Sequence, residues 1–477
     1  MTVRGWIFLA LLWLVSLVPL GVNAFFNSSA SEIDLSKAWM GVYAYGHKIG
    51  YATSQVSRTS DGFFIEERAT LQLVLQGTTR KVKTHMDLKT DFSFQMRSFE
   101  MGMVSGPFVL EMKGTLRGHS LVLEVRSGDT TRSHEIHVDE VPWLAQNLRY
   151  HFLQKPLQLG DSATVTLLDP LTLTYKPMEF VVEGTDPYSF GDTTLSAFRL
   201  LFTWNGLESR AWVSERGEML REEGFGGMTL IRETPAKAHD VEASTGSSVD
   251  LIKEISIHVS TALPSPRELS YMKIRFSGAE LTNYSLSDHR QKTQGQYVEV
   301  FREDLSRIRE KTTSDQKAPE EGALAPTPFV QSDDPRIQEL ANSLTTGARD
   351  ELESVRRIME WVHRNLRKVP TVSVPSAVEV LRRKEGDCNE HAVLFAALTR
   401  ALGIPTRICG GIVYMNGRFS YHAWNMVYVG NWVSVDPTLG QVAVDATHVK
   451  FVEGGLDTQV KLAPLIGTLH AEILDYR

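Results

Sequence analysis

The spacing of apolar residues changes once along this 477-residue chain, and that change limits the folds open to it. From about Ser36 to Thr234, short runs alternate apolar and polar residues and break at Asp61-Gly62, Gly128-Asp129, Asn205-Gly206 and Arg216-Gly217. Successive side chains of a strand face opposite sides, so alternation punctuated by turn dipeptides predicts antiparallel hairpins. Beyond Asp334 the repeat lengthens to about 3.6 residues, with Leu352, Val355, Met359, Val362 and Leu366 at helical spacing. The expected fold class is multidomain, a mostly antiparallel β region followed by a domain that mixes helices and strands.

Two stretches interrupt the pattern. Thr229 to Asp250 loses periodicity and carries Pro235, Gly246 and several Ser and Thr, the make-up of a connector. A smaller β-like segment follows, alternating at Ile255-Ser256-Ile257-His258-Val259 and Tyr271-Met272-Lys273-Ile274, before Thr312 to Asp334, which is rich in Pro, Glu, Gly and Ala. The expected organisation is a β-rich domain over 32–235, a small β-rich accessory domain over 249–311, a linker over 312–333 and the helix-bearing domain over 334–477.

Ahead of these, Arg4 precedes an almost wholly apolar segment from Trp6 to Leu20 and then Gly21-Val22-Asn23-Ala24, the three parts of an export signal. The apolar run is shorter than the ~20 residues a bilayer-spanning helix needs, and Pro19 and Gly21 would end a helix early. Cleavage after Ala24 is expected, with an uncleaved anchor over residues 6–22 as the alternative. Either outcome puts the rest of the chain outside the cytoplasm, periplasmic or secreted. No later stretch reaches membrane-spanning length, and 42% hydrophobic with 22% charged residues suits a body that folds in water. A formal charge of −7, from 50 Lys and Arg against 57 Asp and Glu, gives no attraction to nucleic acid. The two cysteines, Cys388 and Cys409, make no disulfide framework, and no CxxC or Cys/His cluster has structural-zinc spacing. A single disulfide between the two stays open, and it would silence either thiol.

The helical part begins at Asp334-Pro335, an N-cap with proline at the first helical position, and holds two capping-box signatures, Ser376 with Glu379 and Asp387 with Glu390. With Asp387 as N-cap, Cys388 takes the first helical position, where free amides and the macrodipole favour an anion and lower a thiol pKa from its usual ~8.5. The helix continues apolar on nearly every face from Ala392 to Leu398, until Gly403 and Pro405 end it. Strands are expected over Arg407–Met415, Arg418–Val429 and Trp432–Asp436, with Asn416-Gly417 as a tight turn. His422 lies on the second strand and Asp436 ends the third. A helix-borne thiol, a histidine and a carboxylate are the nucleophile, base and orienting group that thiol acyl transfer requires.

Four blocks now stand in order: Gly386-Asp387-Cys388-Asn389-Glu390-His391-Ala392, Arg400-Ala401-Leu402-Gly403-Ile404-Pro405-Thr406-Arg407, His422-Ala423-Trp424, and Trp432-Val433-Ser434-Val435-Asp436-Pro437-Thr438. Together they resemble the core of the transglutaminase-like superfamily, and Asp445-Ala446-Thr447-His448 resembles bacterial envelope members of that group. The resemblance covers roughly Asp334 to Gly454. It implies an α+β, papain-like domain in which Cys388 is the nucleophile, His422 the base and then the acid, and Asp436 the group that orients the imidazole. No cofactor and no metal are expected. The first 310 residues carry no comparably specific match.

Hairpin geometry bears on that assignment. A two-residue turn at Gly430-Asn431 would pair Asp436 with Asn425 and face it away from His422. The triad therefore requires a three-residue loop or a bulge, with Asp436 opposite Met426 on the His422 face. Trp424 shares that face and is expected to wall the site. His391, one turn after Cys388, and Asp445 are expected at its edge, His448 as structural with a place at that edge left open, and Cys409 as a core residue. The functional expectation is an exported thiol enzyme that attacks an amide carbonyl of a protein or peptide substrate through a thioester, as a peptidase or amidase, or as a protein-glutamine acyltransferase. Nucleic acid is not an expected partner, a cell-envelope component is, and membrane contact is expected only through an uncleaved N-terminal segment. The alternative is an inactive envelope binding or scaffold protein in which the β region does the work.

Overall fold

The alternating runs form the fourteen strands of one antiparallel sheet in a computed structural model that describes residues 37–152, 157–215, 217–224, 226–241, 250–284, 286–306 and 321–477. The export-signal segment 1–24 and residues 312–320 of the expected linker lie outside the described residues. Those described divide between two compact units, 37–251 and 252–477. No helix among them is long and apolar enough to cross a membrane.

In the first unit, Ala38–Ala44 pairs with Met228–Arg232, and the remaining strands follow in sequence order on either side of that pair, ending at Thr130–His137 and Ser162–Asp169. Phe63–Leu75 shows how the sequence builds it: Phe63, Ile65, Leu71, Leu73 and Leu75 are buried, while Phe64, Glu66, Gln72 and Val74 between them stay half-exposed. Asn205 and Gly206 both take positive φ, 51° and 79°, as a two-residue primed turn demands. The expected connector starts later than its composition implies. Met228–Arg232 is a strand and Pro235–His239 a helix whose N-terminal amides Thr234 caps, so periodicity was lost only because both elements are short.

Residues 252–306, expected as an accessory domain of their own, belong to the second unit. Tyr271–Ser277 pairs with Tyr297–Phe301 on one side and with the C-terminal strand His470–Tyr476 on the other, a long-range partner that local alternation cannot reveal. Of the run Ile255–Val259 only Ile257–His258 is strand, and it pairs with Phe419 and Arg418.

The rest of that unit is built from helices α1 (Pro335–Thr345), α2 (Glu351–Asn365), α3 (Ala377–Arg383) and α4 (Cys388–Ala401), and strands β1 (Thr406–Met415), β2 (Arg418–Tyr428), β3 (Trp432–Asp436) and β4 (Val449–Glu453). The sheet order is β3-β2-β1-β4, with the short strand Gln441–Val442 outside β3. Asp334 caps α1 through its carboxylate, and Val355, Ile358 and Val362 are the buried stripe of α2. α4 is buried from Cys388 to Thr399, which is why its sequence is apolar all round. It packs between the other three helices and β1 and β2. The capping box expected at Ser376 is not formed. The Ser376 hydroxyl accepts instead from Gln331 Nε2 at 3.0 Å, and Glu379 pairs with Arg382 and Arg383 at 2.6 and 2.7 Å, charge-assisted bonds that outbid a backbone amide.

Gly411 of β1 sets how closely these strands approach. A Cβ there would stand 2.0 Å from the Val449 carbonyl oxygen and 2.8 Å from Trp424 Cη2, so the indole lies across β1 only because position 411 has no side chain. Gly411→Ala is therefore expected to destabilise the protein by about 1 to 3 kcal/mol in denaturant unfolding. Gly322→Ala, where a Cβ meets nothing within 4 Å, serves as the control and is expected to stay within about 0.5 kcal/mol of wild type.

Candidate active site

Cys388 stands where the sequence puts it, at the first position of α4. The Asp387 carboxylate accepts from Asn389 N at 2.9 Å, and Glu390 Oε2 accepts from Asp387 N at 2.8 Å, a complete capping box. Thr371 and Ser373 donate hydroxyls to the two Glu390 oxygens, so the buried acid keeps its partners. Burial and the adjoining Glu390 push the Asp387 carboxyl well above the usual carboxylate range. Both cysteines are buried and neither is in a disulfide, and burial raises the Cys409 thiol, as suits a core residue.

The loop between β2 and β3 has three residues. Tyr428 pairs with Trp432 and Asn425 with Val435, a register that sets Asp436 level with Trp424. The expected partner Met426 faces Ser434 instead, because the loop closes one residue earlier, on Val429 to Asn431. The parity required of Asp436 is kept. His422, Trp424 and Asp436 share one face of the sheet, while Ala423, Val427, Val433 and Val435 join the apolar side chains of α4 in one buried cluster. Asn425 Nδ2 donates to Ala392 O at 3.0 Å and ties β2 to the first turns of α4.

Four donors surround the Asp436 carboxylate. Oδ1 accepts from the amides of Thr438 and Leu439 at 2.7 and 2.9 Å, and Oδ2 lies 2.7 Å from His422 Nε2 and 3.1 Å from His448 Nε2. Asp436 and both histidines are fully buried. Although burial opposes ionisation, the two imidazoles hold Asp436 well below the usual carboxylate range. Since an ionised carboxylate only accepts, Nε2 of His422 carries the hydrogen and Nδ1 is left as a lone pair, with no hydrogen-bond partner among the described residues. Burial lowers the His422 pKa, and Asp436 opposes that shift. The Trp424 ring lies over His422 at 5.9 Å between centroids and meets His448 edge-on at 5.3 Å.

Sequence reasoning reads His448 as structural with a place at the site edge left open, and the structure brings it to Asp436. The signal available was its place after a short acidic turn, Asp445-Ala446-Thr447, where the Asp445 carboxylate accepts from Thr447 N at 2.8 Å and aims the chain at β4. Asp445 itself lies behind His448, 3.4 Å from Nδ1, and 2.9 Å from Arg267. Among the described residues, His422, Asp436 and His448 have ligand atoms within 4.8 Å of one another, close enough to be weighed as a cation site. Both Nε2 atoms also lie at hydrogen-bond distance from Asp436 Oδ2.

His391 is fully buried on α4, with Nδ1 2.6 Å from Asp387 O and Nε2 without a partner among the described residues. The carbonyl needs a donor, so Nδ1 carries the hydrogen of a neutral ring, and burial pushes the His391 pKa down to about 4. A base held neutral in the fold stabilises fully above its unfolded pKa of ~6.5, and that stability drains as the pH falls towards about 4. Equilibrium unfolding is expected to lose on the order of 3 kcal/mol to this group across that window. His391→Gln, which cannot titrate, is expected to flatten the pH dependence there by the same amount.

Residues 338–437 match the sequence profile of the transglutaminase-like superfamily, a span that holds Cys388, His422 and Asp436 and stops short of His448. No curated protein sequence matches the chain. Among solved structures, a "putative cysteine protease" from Cytophaga hutchinsonii is similar at 18% identity over 44% of this chain and 87% of that one, with a TM-score of 0.28. A beta-barrel-like protein with a domain of unknown function from Brucella abortus is similar at 9% identity over 45% of this chain and 96% of that one, TM-score 0.31. A "putative protease" from Parabacteroides distasonis is similar at 11% identity over 79% of this chain and 70% of that one, TM-score 0.21. By that profile match the C-terminal part of the chain holds a transglutaminase-like domain, preceded in the chain by a large antiparallel sheet.

Proposed function

We propose that this chain is an exported thiol enzyme that opens amide bonds of a protein or peptide through a thioester on Cys388. The observation that carries the reading is the buried His422–Asp436 pair at 2.7 Å, with the His422 Nδ1 lone pair unused, on the strand against which the cysteine-bearing helix packs. In the first half-reaction the His422 lone pair takes the thiol proton, sulfur forms a bond to the carbonyl carbon, and the carbon–nitrogen bond breaks as His422 returns the proton to the leaving amine. In the second, His422 deprotonates water or an amine, which attacks the thioester and frees the thiol. Water gives a peptidase or amidase and a lysine gives a protein-glutamine acyltransferase; hydrolysis of peptide or isopeptide bonds is the preferred outcome by family analogy.

Three features support the thiolate. Cys388 opens a fourteen-residue helix, whose free amides favour an anion. The raised Asp387 carboxyl beside it reduces the like charge that would oppose ionisation. The Cys388 amide, at the same helix start, is a donor for the oxyanion. Export rests on the signal pattern of residues 1–24, and Trp424, Asp445 and His391 are proposed to frame the site rather than to react.

The test is iodoacetamide labelling against pH in a Cys409→Ser chain, with mass spectrometry to locate the label. Cys388 is expected to react well below a thiol's usual pKa of ~8.5 and to lose that advantage in His422→Ala. Turnover of peptides or glutamine amides is expected to fall by roughly 10²- to 10⁴-fold in His422→Ala and to vanish in Cys388→Ala, with both variants still folded. Ordinary thiol behaviour of Cys388 in both proteins would leave the chain as a scaffold. For the exported protein, the expected first residue is Phe25.

A further inference from the structure

His448 has carboxylates on both sides. Its Nε2 lies 3.1 Å from Asp436 Oδ2 and its Nδ1 3.4 Å from Asp445 Oδ1, and all three side chains have no exposed surface. The Nδ1 contact is one of charge without hydrogen-bond geometry, since Asp445 Oδ1 already accepts from Thr447 N. A neutral ring would leave two buried carboxylates facing it, whereas the imidazolium meets both with opposite charge. Counted along the line, Arg267, Asp445, His448 and Asp436 then alternate in sign and cancel, leaving His422 at the end beside a neutral set. With His448 neutral, the same line would carry one net negative charge into a buried site and would hold a proton on His422.

We propose that His448, protonated on both ring nitrogens, is a positioning residue of the site: it pins the Asp436 carboxylate beside His422 and makes His422 release its proton more readily. The inference rests on the proposed role of His422 as the base. Geometry supports it twice. Asp436 has its four acceptor positions filled by Thr438 N, Leu439 N, His422 and His448, so the carboxylate cannot rotate away from His422 while His448 is in place. The His422 and His448 ring centroids are 5.7 Å apart, near enough for one charge to be felt strongly by the other in a buried site. The charged and titratable neighbours act in the same frame. Arg267 lowers the proton affinity of His422, Asp436 raises it, and Lys368 and His391 also feel the Asp436 charge. The carboxylates more than offset burial at His448, whose pKa is raised.

The test needs neither thiol reactivity nor substrate. In the full chain carrying Cys388→Ala and labelled in its histidine rings, NMR follows the His422 nitrogens against pH with and without His448→Gln, which keeps a donor towards Asp436 but no charge. The His422 midpoint is expected to rise by about one pH unit, a tenfold gain in proton affinity. A folded variant whose His422 midpoint is unmoved or lower overturns the proposal, since a merely structural histidine would alter melting alone. In the unmutated chain, the His448 nitrogens are expected to be both protonated at pH 7. A neutral His448 ring there overturns the proposal even if the glutamine variant does not fold. An unreactive Cys388 would instead count against the proposed enzyme, and the two failures are read from different residues.

Discussion

The reciprocal bonds between Asp387 and Glu390 decide where the buried helix begins, and with it where the thiol stands. A cap at the surface is worth about 1 kcal/mol, but here both acids lie inside, at 4% and 1% exposure, and an unmet oxygen would cost more than the cap gains. Thr371 and Ser373 meet the Glu390 oxygens, and Gly386 lets the chain pass, since a Cβ there would stand 2.3 Å from that of Glu390. The stretch from Gly386 to Glu390 therefore acts as one fitted piece. Shifting the helix start by one residue would break the cap and swing the sulfur by about 100°, the rotation per residue of an α-helix.

What could be read in advance depended on how local the cause was. The start of α4 was legible because its cap and its first residue are adjacent in the chain, and so was the parity of Asp436, because strand alternation is a rule of two. The exact register was not: whether the loop ends at Trp432 or one residue on is decided by how Tyr428 and Trp432 pair, and alternation is blind to a shift of two. Ser376 and Glu379 show the same limit from the other side. Their spacing satisfied the capping rule, but Gln331, Arg382 and Arg383 took the side chains first. The accessory strands were legible as strands and illegible as members of the second unit, since the C-terminal strand that joins them follows about 170 residues later.

For His448 the block was visible and the partner was not. Nothing in its immediate sequence says that β4 returns beside β1, so a histidine twelve residues past Asp436 had no visible route to it. The route exists because Gly411 lets Trp424 lie flat across β1, so that one indole covers both imidazoles. Two histidines and the amides of Thr438 and Leu439 thus close around one carboxylate, with the Trp424 ring against both imidazoles.

Strand β2 divides its labour by parity. Ala423 and Val427 face the helices and Asn425 ties into α4, whereas His422 and Trp424 face Asp436 and His448. Odd positions thus pack the helices, while the even ones hold His422 beside a second apolar cluster in which Trp424 and Met426 join Cys409 and Trp432. A sequence drifting under selection for folding alone would keep both packed sets and let His422 go. A homologue that has lost its chemistry should therefore betray itself at a single position of β2, with the packed residues on either side of it intact.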